Sequence, residues 1–353
     1  MTRQGPRVSR RFEPTPPDLA VFDTTLTDAA TVLRTDEAGV AALGLRQVDG
    51  LLDYTDVANA GLHSGTGATV PELARRLLMR FVAAEPDDWF APADWTVAVH
   101  RAASGETFQV AVPDLGAEGV ELLELLADGP TGSSADGPTG GPTGGPTGGP
   151  TGGSAGDLPL PVVTEGHQSS PYQVRVRLTG ERYDVTDRRI RAAFDDVLDA
   201  LDTGAVRYQA IAEPLRADHR RSWELGVADC VVAGRVLADR LRAEGFRARA
   251  RRGFLLGLVG NDHGWCEVHL DGRWRTLDPV FAHLAAEHGR DGGGQFRAAC
   301  RGSRFNRLLP CAVAESAALF LRPAGTPAPA WAFGAVSARL HQLHRLRRRA
   351  AVT

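Results

Sequence analysis

The sequence contains no lysine: all 40 of its basic residues are arginine. That absence excludes a Walker-type phosphate loop and any lysine Schiff-base chemistry. Isoleucine occurs only at positions 190 and 211, against abundant alanine, arginine and glycine, which fits a GC-rich bacterial coding sequence and says nothing about chemistry. The four cysteines, Cys230, Cys266, Cys300 and Cys311, form no Cys-x-x-Cys pair and no zinc spacing, so free thiols rather than a structural disulfide are expected. There is also no His-Glu-x-x-His run and no acidic loop of calcium spacing, so no metal and no cofactor is expected. No stretch of 18 apolar residues offers a membrane span. The basic start, Met1 to Arg11, leads into no apolar segment of a signal peptide, which makes the cytoplasm the default expectation. Aromatic residues are not interleaved with the arginines and no nucleic-acid module is recognisable, which disfavours nucleic acid as a partner.

What is present bounds the organisation. A chain of 353 residues with 43% hydrophobic content can bury one or two ordinary cores. Residues 1–17, rich in proline and arginine, are expected to be disordered. Residues 18–128 read as a small α+β domain of unassigned role. Helical spacing covers Thr27–Leu33 and Val70–Phe81, a hairpin joins Trp95–His100 to Thr107–Val112, and Val120–Leu126 reads as a short helix. Residues 129–156 repeat Gly-Pro-Thr-Gly, a composition that cannot bury a core and reads as a linker tethering two independent domains.

Residues 157–335 form the second domain, and 336–353 a basic amphipathic tail expected to fray into solvent. Charge divides along the same line: residues 1–128 carry net −10 and residues 157–353 net +8. The basic half should attract an acidic partner, which could be the first domain itself or an acidic carrier protein.

The chemistry concentrates between Gly226 and Ala282. Asp229 reads as the N-cap of an amphipathic helix whose first turn holds Cys230 and which Gly245 closes. A thiol placed there meets the positive end of the helix dipole and free backbone N–H groups, which favour a thiolate and could hold an oxyanion. An alternating strand through Phe254 follows. Then comes a hairpin whose turn is Asp271-Gly272, with His263 near the start of one arm and Asp278 at the end of the other. A thiol nucleophile needs a base within reach, and that base needs a carboxylate to fix its tautomer. Trp223 and Gln209 are candidate oxyanion donors, and His219 and Trp265 are further candidates at the site, although buried tryptophans and exposed strand glutamines are commoner outcomes.

This ordered set resembles the transglutaminase-like superfamily. Cys230 opening a helix, His263-Gly264-Trp265 at a strand start and Leu277-Asp278-Pro279 at a strand end follow its pattern, as do Gly253 and Glu267-Val268. The resemblance covers roughly Tyr172 to Ala282, about a third of the chain. It implies a papain/transglutaminase-like α+β fold, the cysteine helix packed on an antiparallel sheet, and a Cys230–His263–Asp278 triad. The contexts Asp218 to Cys230 and Leu277 to Ala282 look more like the andrimid-type amide-forming condensation enzymes of bacterial natural-product biosynthesis than like protein cross-linkers. That likeness implies acyl and amine substrates borne on pantetheinyl carrier proteins. Acyl transfer to an amine is therefore the leading expectation; a cysteine amidase or peptidase with the same triad and a non-catalytic interaction module are the alternatives.

Overall fold

The computed structural model describes residues 12–82, 86–99, 109–126, 166–168, 172–257, 260–288, 294–322 and 336–344. The Gly-Pro-Thr-Gly repeat lies outside them.

At the centre is a five-stranded antiparallel sheet. Its strands run in the order Arg301–Gly302, Arg273–Leu277, Gly260–Leu270, Ala248–Leu256 and Leu308–Pro310. The Asp-Gly turn forms as the sequence predicts: Asp271 and Gly272 take φ of 52° and 76°, the left-handed pair a two-residue hairpin turn requires. On one face lies the cysteine helix, Cys230–Ala243, with the helices Arg188–Asp202 and Pro279–His288, around a core that includes Phe194, Val232, Leu237, Trp265 and Phe281. The cap of Arg188–Asp202 is Asp187, whose carboxylate accepts from the Arg189 and Ile190 N–H groups.

The other face carries a second core, in which Phe254, Leu256 and Leu309 meet Trp95, Val97 and Val176. Those last three belong to a four-stranded sheet ordered Val336–Leu343, Ala93–Val99, Tyr172–Leu178, Val120–Leu126. This sheet corrects the expected division into tethered domains. Two of its strands precede the repeat and two follow it, and Val120–Leu126 pairs directly with Tyr172–Leu178. The repeat therefore interrupts one structural unit, lying in the connection between Val120–Leu126 and its sheet neighbour Tyr172–Leu178, a connection that also carries His167–Gln168. Linker composition shows that a segment cannot pack; it does not show whether its flanks pair with each other. Trp89 makes the same point by stacking edge-on to Phe296 at 4.4 Å, while the Trp95 indole donates to the Asn306 carbonyl at 2.9 Å.

Three local expectations fail for related reasons. Val120–Leu126 is a strand, because a bulge between Leu122 and Glu124 breaks the period-2 alternation and leaves leucines at helical spacing. Trp95–His100 and Thr107–Val112 do not form a hairpin: Ala93–Val99 joins the four-stranded sheet, while Gln109–Ala111 pairs with Phe320–Leu321 and His167–Gln168. The expected turn between them lies outside the described residues. The start of the basic tail is an edge strand, Val336–Leu343, with Leu340 and Leu343 packed on the second core and His341 bonded to Thr96.

Residues 22–82 build a small helical module on a separate core of Ala29, Leu33, Val40, Leu52 and Val57. In the described part of the N-terminal arm, residues 12–17, the expectation of disorder fails: Phe12 and Thr15 are buried, and the Thr15 N–H and hydroxyl donate to Asp56 and Asp53 at 2.7 and 3.1 Å. Proline stiffens this arm in an extended form that side chains can hold without regular secondary structure. The module docks through Asn59, whose amide pairs with both the N–H and the carbonyl of Ala210, at 2.7 and 2.9 Å. Ion pairs such as Arg221–Asp18 and Arg322–Asp23 join the acidic and basic halves of the chain.

Candidate active site

The cysteine helix begins where Asp229 caps it, its carboxylate accepting from the Val232 N–H at 3.0 Å while its carbonyl accepts from Ala233. The N–H groups of Cys230 and Val231 are thus the ones at this helix end that a bound anion can use. The helix closes at Gly245, φ 85°, with Phe246 N–H returning to the Leu241 carbonyl.

Two glycines let this helix sit unusually close to the histidine strand. A Cβ on Gly264 would lie 2.7 Å from the Val231 Cα, and one on Gly234 would lie 2.9 Å from the Trp265 carbonyl carbon. That contact brings His263 to Cys230. The imidazole Nε2 bonds the Asp278 carboxylate at 2.6 Å, and the Cys230 side chain is within hydrogen-bonding range of the same ring. An ionised carboxylate only accepts, so Nε2 carries the proton and Nδ1 is the nitrogen left for the thiol. The second Asp278 oxygen accepts from the Phe281 N–H at 2.9 Å, capping the next helix and fixing the carboxylate. Phe281 stacks on the imidazole at 4.1 Å and Trp265 lies nearly parallel to it at 6.0 Å.

Burial by itself would push the His263 pKa down. The negative charges of Asp278 and Cys230, with their hydrogen bonds, outweigh it and raise the pKa to about 10. All three side chains are nearly enclosed, with Cys230 8%, His263 4% and Asp278 0% exposed. The other cysteines are buried and free, and burial pushes the thiols of Cys266, Cys300 and Cys311 up, away from thiolate.

The remaining candidates are distributed unevenly. Trp223 packs under Arg240 with a centroid distance of 5.6 Å, and His219 bonds Asp239 at 3.0 Å. Both partners lie nine or ten residues along the helix from Cys230, roughly 14–15 Å at 1.5 Å per residue, so neither side chain attends the thiol. Trp265 is a wall of the site, but its indole N–H is spent on Glu267 at 3.1 Å. Gln209 is buried, and its amide is engaged by the backbone of Glu13.

The sequence did not disclose the charged cluster beneath the helix start. Arg216 bonds Asp229, Glu213 and Asp262, and Arg252 bonds Glu213 and Asp262. Burial would raise the Glu213 pKa, but the two guanidiniums hold it down at about 2. Glu213 and Arg216 share one short helix, but Asp229, Arg252 and Asp262 come from other elements with no shared motif, so only the fold assembles the cluster. Tyr208 was likewise missed; burial raises its pKa, and the charges of Cys230 and Asp229 add to the rise, which puts its hydroxyl within their field.

Among the described residues no group of three or more His, Cys, Asp or Glu side chains is placed to hold a metal ion, and no helix is long and apolar enough to cross a membrane.

No protein-family model matches this chain, and no curated protein matches it. Solved structures similar to it include one described as a TGase, 15% identical, with 33% of this chain and 42% of that chain covered at a TM-score of 0.18. The match thus spans less than half of that protein's length. Another is a presumed cysteine protease from Cytophaga hutchinsonii, 10% identical, with 72% of this chain and 89% of that chain covered at a TM-score of 0.28.

Proposed function

We propose that this chain is a cysteine acyl-transfer enzyme that forms an amide bond through a Cys230 acyl-enzyme. The observation that carries the reading is Cys230 at a capped helix N-terminus beside the His263 ring, which Asp278 holds by a hydrogen bond. His263 Nδ1 holds the proton given up by the Cys230 thiol, so the resting pair is imidazolium and thiolate, and the thiolate attacks the carbonyl of an acyl donor, a thioester or an amide. The resulting oxyanion is held by the N–H groups of Cys230 and Val231. As it collapses, the imidazolium protonates the departing group and leaves a thioester on Cys230. An amine then attacks that thioester and gives its proton to His263, and the amide departs as the thiolate is restored. Asp278 keeps the imidazole oriented and stabilises its charged form.

The enclosure of the triad supports an amine over water as the acceptor, since a site that excludes solvent protects a thioester from hydrolysis. The likeness of this motif to amide-forming condensation enzymes supports acyl and amine substrates presented by acidic carrier proteins. Hydrolysis by the same triad is the competing reading.

Intact-mass analysis with an acyl thioester, with and without amine, tests this. An acyl mass on Cys230 that clears faster with amine, yielding amide, is the expected result; clearance at an unchanged rate to free acid would establish a hydrolase. Cys230→Ala should abolish the adduct, and His263→Ala should slow its formation roughly thousandfold or more. No adduct, together with iodoacetamide labelling of Cys230 no faster than of Cys266, Cys300 or Cys311, would remove the enzymatic reading altogether.

A further inference from the structure

The Gln209 side chain is 3% exposed, and both of its polar atoms are engaged by a single residue of the N-terminal arm. The Glu13 N–H donates to Oε1 at 3.0 Å, and Nε2 donates to the Glu13 carbonyl at 2.8 Å. This is how one strand residue reads another: the amide recognises an extended residue by its backbone alone, without regard to its side chain. Gln209 is held for that task, because its own N–H is bonded to the Ala228 carbonyl at 3.0 Å and the next residue, Ala210, is clamped by Asn59.

The position of this pairing gives it meaning. Ala228 leads through Asp229 to Cys230, so the ledge bearing Gln209 adjoins the start of the cysteine helix. Between the arm and the ledge lies a cavity of about 360 Å³, bounded by Pro14 and Pro16 on one side and by Ile211, Leu215 and Val227 on the other, with Thr15, Arg46 and Gln209 adding polar groups to its wall. That is a volume suited to the side chain of a bound organic group, with an apolar wall and a few polar contacts. The arm's other bonds run elsewhere: Thr15 is held by Asp53, Asp56 and Arg46, all within the helical module. Glu13 can therefore leave the ledge while Thr15 stays anchored, provided that the buried Phe12 beside it moves too.

We infer that Gln209 is the recognition residue of a subsite for an extended peptidyl chain, and that the arm around Glu13 occupies this subsite as the protein's own stand-in. Calling that chain the acyl substrate rests on the Cys230 reading; the binding itself does not. An acyl donor ending in an aminoacyl or peptidyl unit would displace Glu13, place its N–H and carbonyl on Gln209 and its side chain in the cavity.

The test uses the full chain carrying Cys230→Ala, so that no turnover is involved. The probe is a fluorescein-labelled hexapeptide of the arm's own sequence, residues 11–16, followed by anisotropy. Glu13→Pro removes the N–H that bonds Gln209, whereas Glu13→Ala keeps the backbone pairing and serves as its control. The hexapeptide should bind the Glu13→Pro protein roughly tenfold more tightly than the Glu13→Ala protein, the worth of about one hydrogen bond. Adding Gln209→Leu should abolish that gain. Gln209→Glu, which keeps the size and shape of the side chain but loses the donor, should abolish it too and covers the case in which the leucine variant does not fold.

Equal binding to the two Glu13 variants, or a gain that survives Gln209→Glu, overturns the inference and leaves the pairing a structural tether. The same hexapeptide as its pantetheine thioester separates the sources: tighter binding of the thioester identifies a carrier-borne chain, and equal binding a free peptide, either outcome supporting the subsite. Peptide binding with no acyl adduct on wild-type Cys230 would keep the subsite and remove the acyl-transfer reading. An adduct with no effect of Glu13→Pro would do the reverse.

Discussion

His263 sits between two negative partners, Asp278 and Cys230, and they govern its protonation. Its pKa, raised from an ordinary 6.5 to about 10, lies above its unfolded value. The charged form therefore stabilises the fold fully below about pH 6.5, and that contribution is lost as pH rises through about 10. Histidine-selective NMR should show the His263 ring resonances in their imidazolium positions through pH 8, and Asp278→Asn should move the titration to lower pH. A parent ring that titrates near 6.5 would contradict the ion-paired description. Asp229 offers a second test at this scale. Asp229→Ala removes both the helix cap and a nearly buried partner of Arg216, and should cost about 3–5 kcal/mol in denaturant unfolding. Asp229→Asn keeps the cap while losing the charge, so a loss as large as that of alanine would place the stabilisation in the ion pair rather than the cap.

The cysteine helix and the histidine strand are positioned by contact of backbone on backbone. Gly264→Ala would press a methyl group against the Val231 backbone, and Gly234→Ala against that of Trp265, where no flexible side chain can give way. Each should destabilise by roughly 1–3 kcal/mol through overpacking and reduce Cys230 alkylation at neutral pH, measured alongside a thermal melt. Unchanged labelling in a folded Gly264→Ala protein would show that the close approach is not what brings base and nucleophile together.

The sequence disclosed this part of the fold well for a physical reason. A cap, a two-residue turn and an alternating strand are local features, and Asp229, Asp271-Gly272 and the run through Phe254 each declare themselves within a few residues. Gly264 and Gly234 gave no such signal, because the need for glycine came from a partner element. Trp223 and His219 misled because nearness to Cys230 in sequence put them on a helix, His219–Glu224, that packs along the far end of the cysteine helix. Val120–Leu126 misled because one bulge was enough to turn a strand's alternation into helical spacing.

Over the whole molecule, the repeat and the charge asymmetry invited a two-domain reading that the four-stranded sheet does not allow. Ala93–Val99 is an interior strand of that sheet, paired on one side with Tyr172–Leu178 and on the other with Val336–Leu343. Trp95, Val97 and Val99 supply much of the second core. Removing residues 1–153 would take away this strand and Val120–Leu126 together. That would expose the inner face of Tyr172–Leu178 and the apolar back of the five-stranded sheet, including Phe254 and Leu256, and unpaired strands of this kind invite aggregation. The truncated chain should be insoluble or melt without cooperativity. Replacing only residues 129–156 with a short glycine-serine segment should leave a cooperative melt within a few degrees of the parent, because lengthening a loop costs only about 0.6 kcal/mol for each doubling. Circular dichroism melts of the two deletions decide the matter: a soluble, cooperative fragment beginning at residue 154 would mean that the sheet's first two strands are dispensable and that the basic half folds on its own.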